Sequence, residues 1–392
     1  MQNGSYACWT GGSLTISSKT SYALLLFIAS TVAFAGEATY EFGGHSKLRL
    51  LAQSYPDDSL FRDLVGASST DIAGELRLNF LAKKDKWSLH ADYQLIALNS
   101  EFIPRGLPDD NSRLFDLTSV LKDGNDNAIL HRLDRFWVGY AGEKTVVRFG
   151  RQALSWGNGL IYAPMDLVNP FDPTTIDTEY KTGDDMLYVQ RLRDNGDDIQ
   201  AAVVFRRDAL SGDVESDKAT IALKYHGFAG ENEYDVLVAE HYDNTVFGIG
   251  FAKSVGGAIW RSDVVVTDSS DETVTELVSN LSYSWIWGGK NMSGAVEYYY
   301  DGFDRHYFAG SLSIEMSPLW MLTPTVLTNA NDPSGLLQLV TQYSLSDNMT
   351  FLGSLNIPMG ANGTEFGGPE SGIPGRYLSV DAGVFAQFAW YF

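Results

Sequence analysis

The chain has 392 residues, 28 basic and 49 acidic side chains, and a formal net charge of −21. This balance argues against a nucleic-acid partner, because there is no excess of basic side chains to neutralise phosphates. The one cysteine, Cys8, excludes an internal disulfide and a cysteine metal cluster.

Residues 1–35 predict a secretory signal peptide. The run YALLLFIASTVAFA, residues 22–35, is shorter than the roughly 20 apolar residues of a membrane-spanning helix. It follows Lys19 and ends in Ala33-Phe34-Ala35, a small-residue cleavage pattern. Cleavage would leave one domain, residues 36–392. Without Lys19 this domain has 27 basic and 49 acidic side chains, a net charge of −22.

The rest of the chain alternates between apolar and mixed positions with the period of a β-strand. At the C-terminus, for example, Val384, Ala386, Phe388 and Trp390 share one face with the terminal Phe392. Eighteen such segments begin near residues 45, 71, 86, 130, 144, 184, 198, 217, 232, 245, 257, 273, 291, 306, 318, 334, 348 and 376.

The connections between these segments alternate in length. Tight turns such as Gly256-Gly257 and Gly288-Gly289 follow the even segments, whereas three connections after odd segments are long: 99–129, 157–182 and 358–375. This alternation predicts an all-β fold, a transmembrane antiparallel up-and-down β-barrel of about 18 strands. Sixteen strands is the alternative, because segments 244–256 and 318–328 are the weakest and Pro324 interrupts the second.

The signal peptide, the alternating strands and the ending Gln387-Phe388-Ala389-Trp390-Tyr391-Phe392 resemble a Gram-negative outer-membrane porin-type barrel. The resemblance implies that Phe392 is an assembly signal. It also implies an outer-membrane location, with the barrel-assembly machinery, membrane lipid and lipopolysaccharide as partners. The stretch VVRFGRQALSWG followed by DLVNPFD is more weakly similar to porin-like, alginate-export-like barrels.

Residues 150–173, GRQALSWGNGLIYAPMDLVNPFDP, contain closely spaced glycines without the pattern of a nucleotide-binding loop. No lysine follows them until Lys181, and the third glycine of the dinucleotide pattern is missing. In a barrel, Gly157 and Gly159 would turn the chain sharply at the rim. Loop 157–182 is too apolar to be fully solvated, so we expect it to fold into the lumen, with packing on neighbouring loops as the alternative.

Charged residues in mid-strand must face the lumen, because a charge facing lipid costs about 2–4 kcal/mol at the bilayer midplane. They either wet the interior or form a constriction that selects solutes by charge. Arg151 falls on the apolar face, so it should lie at the outer interface or be turned inward by a bulge near Gly150. The candidate pore residues are Arg135, Arg148, Arg151, Trp156, Asp166, Asp172, Arg206 and Lys224. Further mid-strand candidates include Lys47, Arg49, Asp263, Glu297 and Glu315.

These features predict a passive channel for small hydrophilic solutes with a weak preference for cations. The alternatives are a scaffold, adhesin or export component without a channel and, more weakly, a hydrolase using Asp304-Arg305-His306 or Asp109-Asp110. No cofactor or metal pattern is present, so we do not expect an enzyme. The solute and the oligomeric state stay open.

Overall fold

A computed structural model describes residues 38–102 and 107–392. The predicted signal peptide lies outside the described residues and stays a prediction. The strands are β1 Thr39–Ser54, β2 Ser68–Lys84, β3 Trp87–Asn99, β4 Thr118–Asp123, β5 Asn127–Ala141, β6 Thr145–Gln152, β7 Asp184–Leu192, β8 Asp198–Val204, β9 Thr220–Ala229, β10 Asn232–His241, β11 Asn244–Val255, β12 Ala258–Asp268, β13 Thr273–Trp287, β14 Lys290–Tyr300, β15 His306–Ser317, β16 Trp320–Asn329, β17 Ser334–Ser346, β18 Met349–Met359 and β19 Gly383–Tyr391. A short helix, α1, spans Leu60–Val65, and a 3-10 turn spans Ser216–Lys218.

Eighteen of these strands close into one antiparallel barrel. The last strand, β19, pairs with β1 from His45 opposite Tyr391 to Gln53 opposite Gly383. The short β4 is not one of these eighteen. It pairs with residues 128–132 of β5, which also pair with β3, so β3 and β5 are neighbours in the barrel without it. The predicted fold class and the count of 18 are therefore confirmed. Both weak segments are strands, and Pro324 lies within β16 opposite Leu339.

The two faces of the sheet differ in polarity. On β14, Val296 is 60% exposed while the next residue, Glu297, is 4% exposed. On β2 the buried residues include Glu75 and Arg77, whereas Leu78 is 43% exposed. The apolar side chains thus face outward, where lipid would cover them, and the polar side chains face the lumen, as expected for a membrane barrel.

The short turns and both ends of the described barrel lie at one rim. Gly256 and Gly257 have φ angles of 57° and 88°, the left-handed pair of a tight hairpin that glycine adopts without strain. Phe392 exchanges backbone hydrogen bonds with Gly44 at this rim. The long connections, residues 100–126, 153–183 and 360–382, leave from the opposite rim.

Two local features differ from the sequence prediction. The last strand begins at Gly383 rather than near residue 376, because Tyr377 and Asp381 bond instead to the backbone of Asp58 and Ser54. The strand β4 lies inside the predicted long loop 99–129 and was missed. Within the described part of the chain, no helix has the length and hydropathy needed to cross a membrane.

Candidate functional site

Segment 153–183, which joins β6 to β7, is held by carboxylates of the inner barrel face near its start. Asp263 accepts hydrogen bonds from the backbone N–H and the side-chain amide of Asn158, at 2.6 and 2.8 Å. Glu297 accepts three more from consecutive backbone N–H groups: Leu160 at 2.7 Å, Ile161 at 3.0 Å and Tyr162 at 2.8 Å. A run of N–H groups in a tight turn makes a concave anion site, so each carboxylate has matched donors.

Aromatic and apolar side chains fix the same part of the segment. The Tyr162 ring stacks on Tyr299 at 4.6 Å between centroids, and it lies 5.3 Å from the ring of Tyr307. The indole N–H of Trp156 donates to Gln200 at 2.7 Å. Met165 is fully buried in a cluster with Trp156. These contacts explain why a long connection contains so many apolar residues.

At the end of the segment that leads into β7, the carboxylates belong to the segment and the cation belongs to the barrel. The Lys47 ammonium lies 2.7 Å from a carboxylate oxygen of both Asp177 and Glu179. The Tyr180 ring lies against the Arg77 guanidinium at 4.1 Å. Arg135 donates to the carbonyl of Lys181. The segment therefore joins β1, β2 and β5 before it enters β7.

The partners of segment 153–183 follow the order of strands around the barrel. From Trp156 onward it contacts β8, β12 and β14, and the carbonyl of Thr174 accepts from Gln338 on β17 at 2.9 Å. It then meets β1, where Asp177 binds Lys47, and β19, where Tyr391 donates to Glu179 at 2.9 Å. Contacts with β2 and β5 complete the circuit.

The arginine and lysine candidates of the barrel differ in how far their charge is compensated. Lys224 pairs with Asp235 at 2.9 Å, and Arg206 pairs with Asp184. Among the described residues, no carboxylate forms an ion pair with Arg148, which lies over the rings of Trp137 and Tyr188. Arg148 is therefore the strand candidate with the least neutralised charge.

Arg151 is fully buried beneath the connection that precedes β4. It donates to both Asp185 oxygens, at 2.9 and 3.0 Å, to Asp110 at 2.9 Å and to the carbonyl of Phe115. The β5–β6 and β6–β7 ladders show no register shift beside it, so the bulge considered near Gly150 is absent. Gly150 instead has a φ of 122°. Burial opposes the charge of Asp110, but the bond to Arg151 prevails and lowers the pKa of that carboxyl.

The two acidic candidates within the segment are unequal. Both oxygens of Asp166 lie 2.6 Å from the Lys181 ammonium. Burial raises the pKa of Asp166 and lowers the pKa of Lys181, although the ion pair opposes both shifts. Asp172 is exposed and accepts from the N–H and hydroxyl of Thr174. Asp172 is thus the acid of this pair that a passing ion could meet.

The residues considered for hydrolysis bond to other groups. The Nδ1 atom of His306 lies 2.8 Å from the Tyr298 hydroxyl, and Asp304 accepts from Tyr300 at 3.3 Å. Asp110 is held by Arg151, as described above. In these contacts, His306 and Asp304 each bond to a tyrosine hydroxyl of β14.

Sequence reasoning identified barrel residues such as Lys47 and Glu297 as lumen candidates but missed several residues of segment 153–183 that contact the barrel. Asp177, Glu179 and Tyr180 were not candidates, although each contacts a charged or aromatic residue of the barrel. The signal that the sequence offers is two carboxylates and an aromatic ring close together near the end of a largely apolar connection. Asn158 was overlooked because it lies between two glycines.

No family model matches the chain, and no curated protein matches it. Solved structures do. OccAB4 of Acinetobacter baumannii aligns with a TM-score of 0.56 and 9% identity, over 90% of this chain and 98% of that one. OccAB2 of the same organism aligns with a TM-score of 0.55 and 9% identity, over 90% and 98% of the two chains. A BenF-like porin from Pseudomonas fluorescens Pf-5 aligns with a TM-score of 0.52 and 7% identity, over the same shares. The chain therefore has the fold of a Gram-negative outer-membrane porin.

Proposed function

We propose that this protein is a porin-like channel of a Gram-negative outer membrane, through which small hydrophilic solutes diffuse passively. The observation that carries the proposal is the combination of a closed barrel with a charged and polar inner face. A sheet of this kind can stand in lipid, because its apolar face is outside and no edge is left unpaired. Porin neighbours with the same fold support the same reading.

In this proposal, segment 153–183 lies within the lumen and narrows it. Its support is the circuit of contacts with inner-face side chains, from Gln200 on β8 round to Arg135 on β5. A segment that follows the wall leaves the axis of the barrel for solute, whereas one that crossed the axis would obstruct it. Packing on neighbouring loops, the alternative reading, does not account for bonds to residues as deep in the barrel as Lys47 and Tyr391.

We further propose a weak preference for cations. Exposed acids near the long-loop rim, including Asp57, Asp109 and Asp271, raise the local concentration of cations. Bulk salt screens these charges over about 8–10 Å, so the preference should be larger at low salt. Asp184 and Asp185 begin β7 at the same rim, but they are buried and paired with Arg206 and Arg151, so they contribute less.

The test is conductance in planar bilayers. Purified, folded protein should produce discrete conductance steps, and deletion of residues 160–176 should raise the size of the step. The deletion removes the three backbone donors of Glu297 and would leave that carboxylate without them. It should therefore be combined with Glu297→Gln, which removes the charge. Folded protein that never conducts would favour the scaffold alternative. Steps of unchanged size after the deletion would place the segment outside the pore.

A further inference from the structure

We infer that Asp263 and Glu297 are positioning residues that set the width of the pore, and that their charges are not available to passing solute. This inference rests on the proposed channel function. Sequence alone places both residues among the mid-strand charges that face the lumen, where they either wet the interior or help to select solutes by charge. Their surroundings assign them to holding residues 158–162, which we call the 158–162 anchor.

The burial of both carboxylates supports this assignment. Asp263 is 0% exposed and Glu297 is 4% exposed, although both lie on the face that lines the lumen. Backbone donors and the side chain of Asn158 occupy all four of their oxygens. A carboxylate covered by the segment cannot contact an ion in the pore, and the N–H dipoles that point at it oppose its field in that direction.

The shape of the anchor requires glycine at positions 157 and 159. Gly157 has a φ of 94°, in the left-handed region. A Cβ atom on Gly159 would lie 1.8 Å from the carbonyl oxygen of Tyr162, which is impossible without moving the backbone. The turn therefore brings three successive N–H groups toward one carboxylate. This requirement explains the glycines that look like a nucleotide-binding loop in the sequence.

A neighbouring amide completes the attachment. Asn280 on β13 donates to Glu297 at 3.2 Å and to the carbonyl of Asn158 at 2.9 Å. Asn280 therefore links Glu297 of the barrel wall to Asn158 of the segment. Three adjacent strands, β12, β13 and β14, supply one residue each, so the wall holds the 158–162 anchor at several points.

Two substitutions at Glu297 separate positioning from electrostatics. Glu297→Gln keeps the length of the side chain but turns an N–H donor toward at least one backbone N–H. Glu297→Asp keeps the charge and withdraws the carboxylate by one methylene. If Glu297 acts on solute through its charge, mainly Glu297→Gln should change the properties of the channel. If Glu297 positions the segment, both substitutions should change them.

The matched control is Glu315→Gln. Glu315 lies on the inner face of β15 and accepts from Asn291 at 2.7 Å, and none of its described hydrogen bonds involves segment 153–183. It therefore removes a lumen carboxylate with the same chemistry and leaves the anchor intact. Each protein is first checked for the heat-dependent gel mobility of a folded barrel.

The experiment measures hydrogen exchange of peptides covering residues 158–163, together with single-channel conductance and reversal potential in a salt gradient. Both Glu297 variants should exchange these amides about tenfold faster or more, the ratio that corresponds to losing one hydrogen bond to a charged group. Both should also change the conductance step while the reversal potential stays near that of the wild type. Glu315→Gln should leave exchange and step size unaltered.

Unchanged exchange in both Glu297 variants, with a shifted reversal potential in Glu297→Gln alone, would overturn the inference and make Glu297 a solute-facing charge. If Glu297→Gln does not fold, Glu297→Asp and Asp263→Asn decide the question by the same measurements. A wild-type protein that does not conduct would refute the proposed channel, while the exchange result would still report on the anchor.

Discussion

Replacing Lys47 by methionine should loosen the far end of segment 153–183 and destabilise the barrel. The Lys47 side chain is 1% exposed, and it holds Asp177 and Glu179 at 2.7 Å each. Removing one partner of a buried ion pair costs about 3–5 kcal/mol, because the other charge is left without compensation. Methionine retains most of the aliphatic stem, so the change tests the charge and not the packing.

The expected loss is smaller than that full range. The side chains of Asp177 and Glu179 are 18% and 35% exposed, so water can partly solvate them after the change. Arg49 lies 3.5 Å from Asp177 and supplies a second cation. We therefore expect the free energy of unfolding to fall by about 2–3 kcal/mol. The assay is denaturant unfolding of the folded barrel in detergent, followed by tryptophan fluorescence and by gel mobility.

A surface pair provides the control. Lys83 lies 2.8 Å from Glu41, but the two side chains are 51% and 61% exposed. Lys83→Met should therefore lower the free energy of unfolding by no more than about 1 kcal/mol. Equal decreases in the free energy of unfolding for Lys47→Met and Lys83→Met would refute the argument that Lys47 forms buried ion pairs with Asp177 and Glu179.

The contribution of the ion pair between Lys47 and Asp177 to stability depends on pH. Burial acts to raise the pKa of Asp177, but the hydrogen bond and charge of Lys47 prevail and lower it. A carboxyl whose pKa is lower in the folded state stabilises the fold above its unfolded pKa, about 3.9, and loses this contribution as the pH falls through the folded value. The wild type should thus lose stability more steeply than Lys47→Met below about pH 4. Parallel pH profiles for the two proteins would contradict the assignment.

Three further predictions concern selectivity, assembly and topology. Asp172→Asn should weaken the preference for cations, whereas the double change Asp166→Asn with Lys181→Gln should alter it little, because it removes an ion pair with no net charge. Reversal potentials at low salt measure both. Deleting Phe392 or replacing it with aspartate should lower the amount of folded barrel in the outer membrane, measured by its heat-dependent gel mobility. If these variants give as much folded barrel as the wild type, Phe392 is not an assembly signal. In intact cells, a thiol reagent should label a cysteine at Leu210, which is 97% exposed on a long-loop connection, and should miss one at Asn195 in a tight turn; labelling at Asn195 would reverse the topology.

The fold could be predicted because its determinants are local. An alternation of period two reports which face of each strand is apolar, and the turn residues report where each strand ends. Even β16 follows this pattern, since Pro324 removes one donor without ending the strand. The end of the chain was harder, because residues 376–382 also alternate but bond to the connection around Asp58.

The site could be predicted only in outline because its determinants are distant in sequence. Lys47 and Asp177 are separated by 130 residues, and Leu160 and Glu297 by 137. A lumen position can be inferred from alternation, but the partner that occupies it cannot. For this reason Glu297 was recognised as an inward charge while its three backbone donors were not.

The charge of the pore differs from the charge of the chain for the same reason. The predicted mature chain has 49 acidic side chains, yet the structure neutralises several of those nearest the lumen. Glu297 and Asp263 are enclosed by backbone donors, and Asp166 and Asp235 are paired with lysines. Counting residues would therefore exaggerate the attraction for cations, because a carboxylate paired with a lysine adds no net charge, and one covered by the segment cannot contact the solute. The acids that remain exposed lie near bulk salt, where screening limits their reach. A weak and salt-dependent preference is thus the expectation most consistent with a strongly acidic chain.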